Sequence, residues 1–140
     1  MTELNLSPDQ LDRLRKKCAG EPRVLAVFLF GSQVDGYAMP SSDVDLAILL
    51  DQEVSLEEWL DLEVKLCHAV GRDDLDILPL GRASISLRFR AISGRLLYQR
   101  APDRVSNFIQ RTLREFYDFQ PVLETYRREF AQSLENDCGL

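Results

Sequence analysis

Two strongly apolar segments, RVLAVFLF at 23–30 and DVDLAILL at 43–50, most constrain the fold of this chain. Each has the length of a strand and the valine, leucine, isoleucine or phenylalanine content of one, with almost no polar residue to face solvent. A strand of this kind is covered on both faces, which is typical of the central strands of an α/β sheet. The sequence therefore predicts a sheet packed between helices.

The other predicted elements follow from caps and periodicity. Capping boxes at Ser7-Pro8-Asp9-Gln10 and Ser55-Leu56-Glu57-Glu58 start two helices, which end near Ala19-Gly20 and Gly71. The remaining elements, in chain order, are a short strand at 75–80, a helix at 82–93, an edge strand at 95–99 and a long helix from Pro102. Pro121 should kink or break that helix. We expect one α/β domain over 1–140, with a core of about 1–100 and C-terminal helices over about 102–135.

Charge, hydropathy and cysteine usage exclude several classes of protein. The net charge of −6 argues against direct nucleic-acid binding, and no stretch approaches the ~18 apolar residues of a membrane span. Three cysteines without a C-x-x-C pair predict reduced thiols and a cytoplasmic protein. Between Gly81 and Arg114, eight arginines accompany one acid. That segment is either a set of solvated helix faces or a surface for phosphates or an acidic partner.

Asp43 and Asp45 stand one residue apart at the start of the second apolar run. Because side chains alternate along a strand, their carboxylates point to the same face and repel each other. A divalent cation relieves that repulsion, and oxygen ligands suit magnesium, which binds one or two carboxylates together with substrate phosphates. The alternative is an ordinary turn before a strand. We predict a magnesium site here.

A third carboxylate is expected from the neighbouring strand, within DDLDILPL at 73–80. Asp76 lies inside the apolar run, whereas Asp73 and Asp74 precede it on a predicted turn. We therefore assign the third metal ligand to Asp76. Asp74 is the second choice, since it shares the strand face of Asp76. The alternative for Asp76 is a strand-edge acid that accepts a backbone hydrogen bond.

Gly31 and Ser32 end the first apolar run. A glycine followed by a small hydroxyl residue lets backbone N–H groups and the hydroxyl face an anion, although Ser32 also suits a simple helix cap. A P-loop is excluded, because Tyr37-Ala38 stand where its Lys-Ser/Thr is required, and G-x-G-x-x-G is absent. A phosphate loop beside a metal-binding strand predicts a nucleotide–magnesium site.

Residues 31–45 have the form G-S, ten residues, D-x-D, which resembles the signature of the DNA polymerase beta-type nucleotidyltransferase superfamily. More narrowly, the chain resembles the minimal nucleotidyltransferases (MNT), the MntA-type antitoxins encoded beside HEPN-domain ribonuclease toxins. VFLFGSQVDG, SSDVDLAILL, LDILPL and ISGRLLYQR occur in the family's order. Many members carry a basic residue directly after the Gly-Ser, where this chain has Gln33, so a later arginine is the alternative source of that charge.

The resemblance implies the nucleotidyltransferase fold, with a small mixed sheet flanked by helices and a helical C-terminal end, and a two-metal transfer from ATP. Asp43 and Asp45 would hold two magnesium ions, Asp76 one of them, and Gly31 and Ser32 the β- and γ-phosphates. In antitoxin members the acceptor of AMP is a tyrosine hydroxyl on the paired HEPN toxin, which implies a hetero-oligomer. Two alternatives stay open: a small-molecule, aminoglycoside-type nucleotidyltransferase, and a catalytically weak antitoxin that neutralises its partner by binding.

Overall fold

The computed structural model describes residues 6–30 and 44–138, and within them four strands form one mixed sheet. The elements in chain order are α1 (Pro8–Ala19), β1 (Val24–Phe30), β2 (Val44–Leu50), α2 (Leu56–Val70), β3 (Leu75–Pro79), a 3-10 helix (Leu80–Arg82), α3 (Ile85–Ile92), β4 (Arg95–Gln99) and α4 (Pro102–Cys138).

The strand order is β3-β2-β1-β4. β1 runs antiparallel to both of its neighbours, whereas β2 and β3 are parallel. The two central strands are the two apolar runs of the sequence, and every residue of β1 is buried. β4 lies at one edge, as its sequence predicts. The predicted small mixed sheet is confirmed.

Helices cover both faces of this sheet. On one face, Leu14 of α1 and Leu62 of α2 pack against strand residues such as Leu46. On the other face, Ala91 of α3 and Phe108 of α4 pack against a second set of strand residues. That second set comprises Leu25, Ala26, Phe28, Phe30, Ala47 and Leu49. The sheet thus divides the core into two layers. This explains why the central strands have apolar residues on both of their faces.

Both predicted capping boxes are present. Ser7 Oγ accepts a hydrogen bond from the Gln10 amide at 3.1 Å, and the Gln10 side chain accepts one from Ser7 N at 3.0 Å. Ser55 and Glu58 make the same reciprocal pair, and the bond from the Ser55 backbone lowers the pKa of the Glu58 carboxyl. Gly71 ends α2 in the left-handed conformation at φ 82°, which a side chain would strain.

Arg100 joins the end of α1 to the sheet. Its Nη2 donates to the carbonyl of Ala19 at 2.7 Å and to that of Cys18 at 3.2 Å, and its Nε donates to Val24 O at 3.4 Å. The carbonyls of Cys18 and Ala19 belong to the last turn of α1, where intrahelical partners run out, and Val24 is the first residue of β1. Nothing in the local sequence around Arg100 predicts this role, because its partners lie about 80 residues away.

The C-terminal region differs from the expectation of two helices, because α4 is continuous from Pro102 to Cys138 with Pro121 inside it. Proline removes one helical N–H, but Pro121 is exposed, so the carbonyl it frees is open to water. α3 also begins later than predicted, because Ser84 caps it by accepting from Leu87 N at 3.2 Å. Neither α4 nor another helix of the described ranges is long and apolar enough to cross a membrane.

Candidate active site

Three strands bring Phe30, Asp45 and Asp76 into one row across the sheet. Asp45 of β2 pairs with Phe30 of β1 on one side and with Asp76 of β3 on the other. Residues in register on neighbouring strands point to the same face, and the strands lie about 4.8 Å apart. Asp45 and Asp76, which come from different parts of the sequence, therefore lie side by side. This is the arrangement that the sequence predicts for these two residues.

The row lies at the edge of the face covered by α3 and α4, since Phe30 belongs to the core layer on that side. Asp45 is half-buried and Asp76 is exposed, so the pair is open to solvent on that face. Like charges directly opposite on neighbouring strands are unfavourable unless a cation neutralises them. Carboxylate oxygens are the donors that magnesium prefers, so the two side chains fit one of its ligand sets.

The rest of the predicted site lies outside the described residues. Asp43, Gly31 and Ser32 belong to 31–43, the segment that separates β1 from β2. Within 6–30 and 44–138, no group of three histidine, cysteine, aspartate or glutamate residues is placed to hold a metal ion. The described part of the site is thus the Asp45–Asp76 pair. The assignment of Asp43 as a ligand, and of Gly31 and Ser32 as phosphate-binding residues, stays a prediction.

Asp74, the second choice for the third ligand, is held by Arg72. The Arg72 guanidinium donates from Nε to Asp74 Oδ1 at 2.7 Å and from Nη2 to Oδ2 at 2.5 Å. This fork places a cation against both carboxylate oxygens, and the hydrogen bonds lower the pKa of Asp74. A carboxylate engaged in this way offers less to a metal ion than Asp76 does, which favours Asp76 as the third ligand.

Gly94 determines how closely the chain passes the end of β1. A Cβ at this position would lie 2.1 Å from the carbonyl oxygen of Leu29, well inside contact distance. Leu29 is two residues before Gly31, so this approach sets the backbone from which the predicted phosphate loop departs. The sequence predicted Gly94 only as the end of a helix. No local sequence pattern predicts that Gly94 lies against β1.

Most of the arginines in the basic segment have structural partners. Arg82 donates to Val54 O at 2.7 Å, Arg104 to Asp51 O at 3.2 Å, and Arg88 pairs with Glu115 at 3.2 Å. Arg95 begins β4 at the end of the sheet that carries the acidic pair, but it is in register with Leu29. Since Leu29 and Phe30 face opposite ways, Arg95 lies on the face opposite Asp45.

The sequence matches the protein-family model described as "Polymerase beta, Nucleotidyltransferase" over residues 12–103. The chain belongs to the polymerase beta nucleotidyltransferase family. The match spans both central strands, the acidic pair and β4, so the family is identified on the elements that build the site. The resemblance inferred from the sequence is confirmed at this level. A sequence search found no match among curated proteins.

Solved structures share the fold. A toxin–antitoxin crystal structure with AMP-PNP superposes with a TM-score of 0.70 at 22% identity, over 90% of this chain and 99% of the other. The toxin–antitoxin MntA-HepT gives 0.67 at 19% identity, over 87% and 97%. A tri-AMPylated Shewanella oneidensis HEPN toxin in complex with MNT antitoxin gives 0.66 at 21% identity, over 87% and 98%. The expected nucleotidyltransferase fold is confirmed.

Proposed function

We propose that this protein is a magnesium-dependent nucleotidyltransferase that transfers AMP from ATP to a tyrosine hydroxyl of a partner HEPN ribonuclease toxin, and so acts as its antitoxin. The observation that carries the proposal is the Asp45–Asp76 pair, side by side on β2 and β3 of a polymerase beta nucleotidyltransferase chain. Support for the acceptor comes from the structural neighbour in which MNT antitoxin accompanies an AMPylated HEPN toxin.

In this proposal Asp43, Asp45 and Asp76 hold two magnesium ions, and Gly31 and Ser32 bind the β- and γ-phosphates of ATP. Bound magnesium would neutralise phosphate charge and favour the deprotonated form of an attacking hydroxyl. The described residues contribute Asp45 and Asp76, side by side on one face of the sheet. That face leaves Asp76 exposed, so a hydroxyl presented by another protein has access to it. Attack of the hydroxyl oxygen at the α-phosphorus then forms the new P–O bond and breaks the bond from that phosphorus to the α–β bridging oxygen, so that pyrophosphate leaves and the hydroxyl proton passes to solvent.

A partner protein is also favoured by the surface of α4. Beyond Phe116 this helix carries exposed large apolar side chains at helical spacing, with Val122 62%, Tyr126 67% and Phe130 59% exposed. An apolar stripe of this kind on a surface helix is typical of a protein interface. We assign it to the docking of the HEPN partner. In this proposal residues 1–140 form one minimal nucleotidyltransferase domain. The protein acts in the cytoplasm, where Cys18 and Cys67 stay free thiols.

The test uses ATP labelled at the α- or the γ-phosphate, with magnesium and a candidate HEPN protein. We expect label on the partner from the α position only, with release of pyrophosphate, and loss of transfer in Asp45→Asn. Asp74→Asn is the matched control and should retain transfer, because Asp74 is engaged by Arg72. Transfer of the γ label would make the protein a kinase. Label on an aminoglycoside, with none on protein, would favour the small-molecule alternative. Binding of the candidate HEPN protein without transfer of label would favour the catalytically weak antitoxin.

A further inference from the structure

A cavity lies at the opposite end of the sheet from the acidic pair. It has a volume of about 310 Å³ and lies where β3 stops while β2 continues. The register of β2 with β3 ends at Ile48–Pro79, so Leu49 and Leu50 have no β3 residue beside them. The chain turns away into the 3-10 helix at that point. The cavity thus results from the unequal lengths of β2 and β3, and it begins about 10 Å along β2 from Asp45.

The cavity is apolar inside and cationic at its rim. Ile48, Val54, Trp59 and Phe108 contribute the apolar lining, from both core layers and from the loop after β2. A volume of this size, lined mainly by apolar and aromatic side chains, is within the range of small-molecule sites in proteins. Its polar lining residues are Gln52, Glu53, Arg82 and Arg111.

Arg82 and Arg111 differ in whether their guanidinium groups have a hydrogen-bond partner in the protein. Arg82 is anchored by its bond to Val54 O at 2.7 Å, which holds it at the rim. Arg111 makes no hydrogen bond or ion pair with any residue of the described ranges, and it is exposed on α4. Arg104 and Arg114 line the adjoining surface of α4 next to Arg111.

One acid opposes this charge. Glu53 is the single carboxylate among the residues that line the cavity, against two arginines, and Asp51 at the end of β2 does not line it. The charged residues that line the cavity therefore sum to one net positive charge. An anion with an apolar body matches both features, because its charge meets the guanidinium groups while its body leaves water.

We propose that this cavity binds a small organic anion, an aryl or alkyl carboxylate, with the body against Trp59 and Phe108 and the carboxylate at Arg111 and Arg82. The site is separate from the acidic pair and does not depend on nucleotidyl transfer. Nothing in the mechanism proposed above uses these residues. Arg111 is the group whose charge the ligand neutralises.

The test uses the protein's own fluorophore, because Trp59 is the only tryptophan of the chain and lines the cavity. The probe is 4-phenylbutyrate, titrated with excitation at 295 nm, and the neutral comparison is 4-phenylbutanamide. We expect a saturable change in Trp59 emission with the carboxylate and at least fivefold weaker binding of the amide. Asp76→Asn should bind the carboxylate like the unmodified protein, since that residue lies at the other end of the sheet.

Two variants of arginines on α4 distinguish a specific carboxylate site from a general effect of positive charge on binding. Arg111→Gln should weaken 4-phenylbutyrate binding at least fivefold, whereas Arg114→Gln, which removes the same charge outside the cavity, should stay within twofold. Arg111 is exposed and makes no bond with the described residues, so its variant should fold, as a thermal melt would verify. The absence of a saturable signal up to 10 mM, equal binding of the amide, or equal losses in the two variants would each overturn the proposal.

Discussion

Replacing Asp76 by asparagine should make the metal-free protein more stable and remove its response to magnesium. Asp76 and Asp45 are direct neighbours on β3 and β2, and a like-charge pair in that position is unfavourable by up to about 1 kcal/mol. Asparagine is nearly isosteric and removes that repulsion. For a chain of this length the melting temperature should rise by about 2–4 °C per kcal/mol, so we expect an increase of about 1–4 °C in EDTA.

Magnesium should make the unmodified protein more stable than Asp76→Asn, which is the reverse of their order in EDTA. A ligand at ten times its dissociation constant stabilises the folded state by about 1.4 kcal/mol. The unmodified protein should gain this stability as magnesium is raised, whereas Asp76→Asn should gain little. Scanning calorimetry in EDTA and over a magnesium series measures both effects. Calcium and potassium series at equal ionic strength test whether the gain comes from a specific site or from screening.

Asp74→Asn is the control for this experiment. It removes a carboxylate from the same segment but breaks the fork with Arg72, so it should lower stability by about 1 kcal/mol or less and keep the magnesium response. The reasoning is refuted if Asp76→Asn lowers the melting temperature in EDTA, or if the magnesium response disappears in Asp74→Asn and survives in Asp76→Asn.

Three further predictions concern packing and titration. Gly94→Ala should lower the free energy of unfolding by about 3 kcal/mol in urea titrations, because its methyl would meet a backbone carbonyl at 2.1 Å, whereas Gly81→Ala, with nothing within 4 Å, should change it little. The Arg72 hydrogen bonds lower the pKa of Asp74 below its ordinary 3.8. The stability that the unmodified protein gains over Asp74→Asn should therefore be full above about pH 5 and disappear as the pH falls through the folded pKa, which urea unfolding between pH 7 and 2.5 measures. Burial raises the pKa of the Cys18 thiol to about 12, so iodoacetamide at pH 8 should alkylate it only after unfolding, as peptide mass spectrometry would detect, and alkylation of the native protein would contradict its burial.

The sequence predicts the elements of this fold well because their signals are local. The capping boxes at Ser7 and Ser55 and the apolar runs at 23–30 and 43–50 are each complete within a few residues. The structure confirms helix starts next to both serines and places the apolar runs at the centre of the sheet. What local patterns missed was the continuity of α4 through Pro121, because the tolerance of a proline depends on its exposure.

The candidate site was predictable in part for the same reason. The position of Asp76 inside its apolar run was sufficient to choose it over Asp73 and Asp74, and the register of β2 with β3 places it beside Asp45. The fork between Arg72 and Asp74 and the approach of Gly94 to Leu29 depend on side-chain geometry and on a contact across 65 residues. Neither leaves a periodic or compositional signal. The positions of Asp43, Gly31 and Ser32 stay predictions.

The bonds from Arg100 to the end of α1 have a consequence for the order in which this chain can fold. β4 and Arg100 complete one side of β1, yet they follow it by about 70 residues, so during synthesis β1 emerges long before its edge can be covered. Until then one side of this apolar strand has unpaired backbone groups, which favour pairing with other chains. A nascent chain that stops before β4 should therefore aggregate, whereas one that extends past Arg100 closes the sheet and the last turn of α1 together.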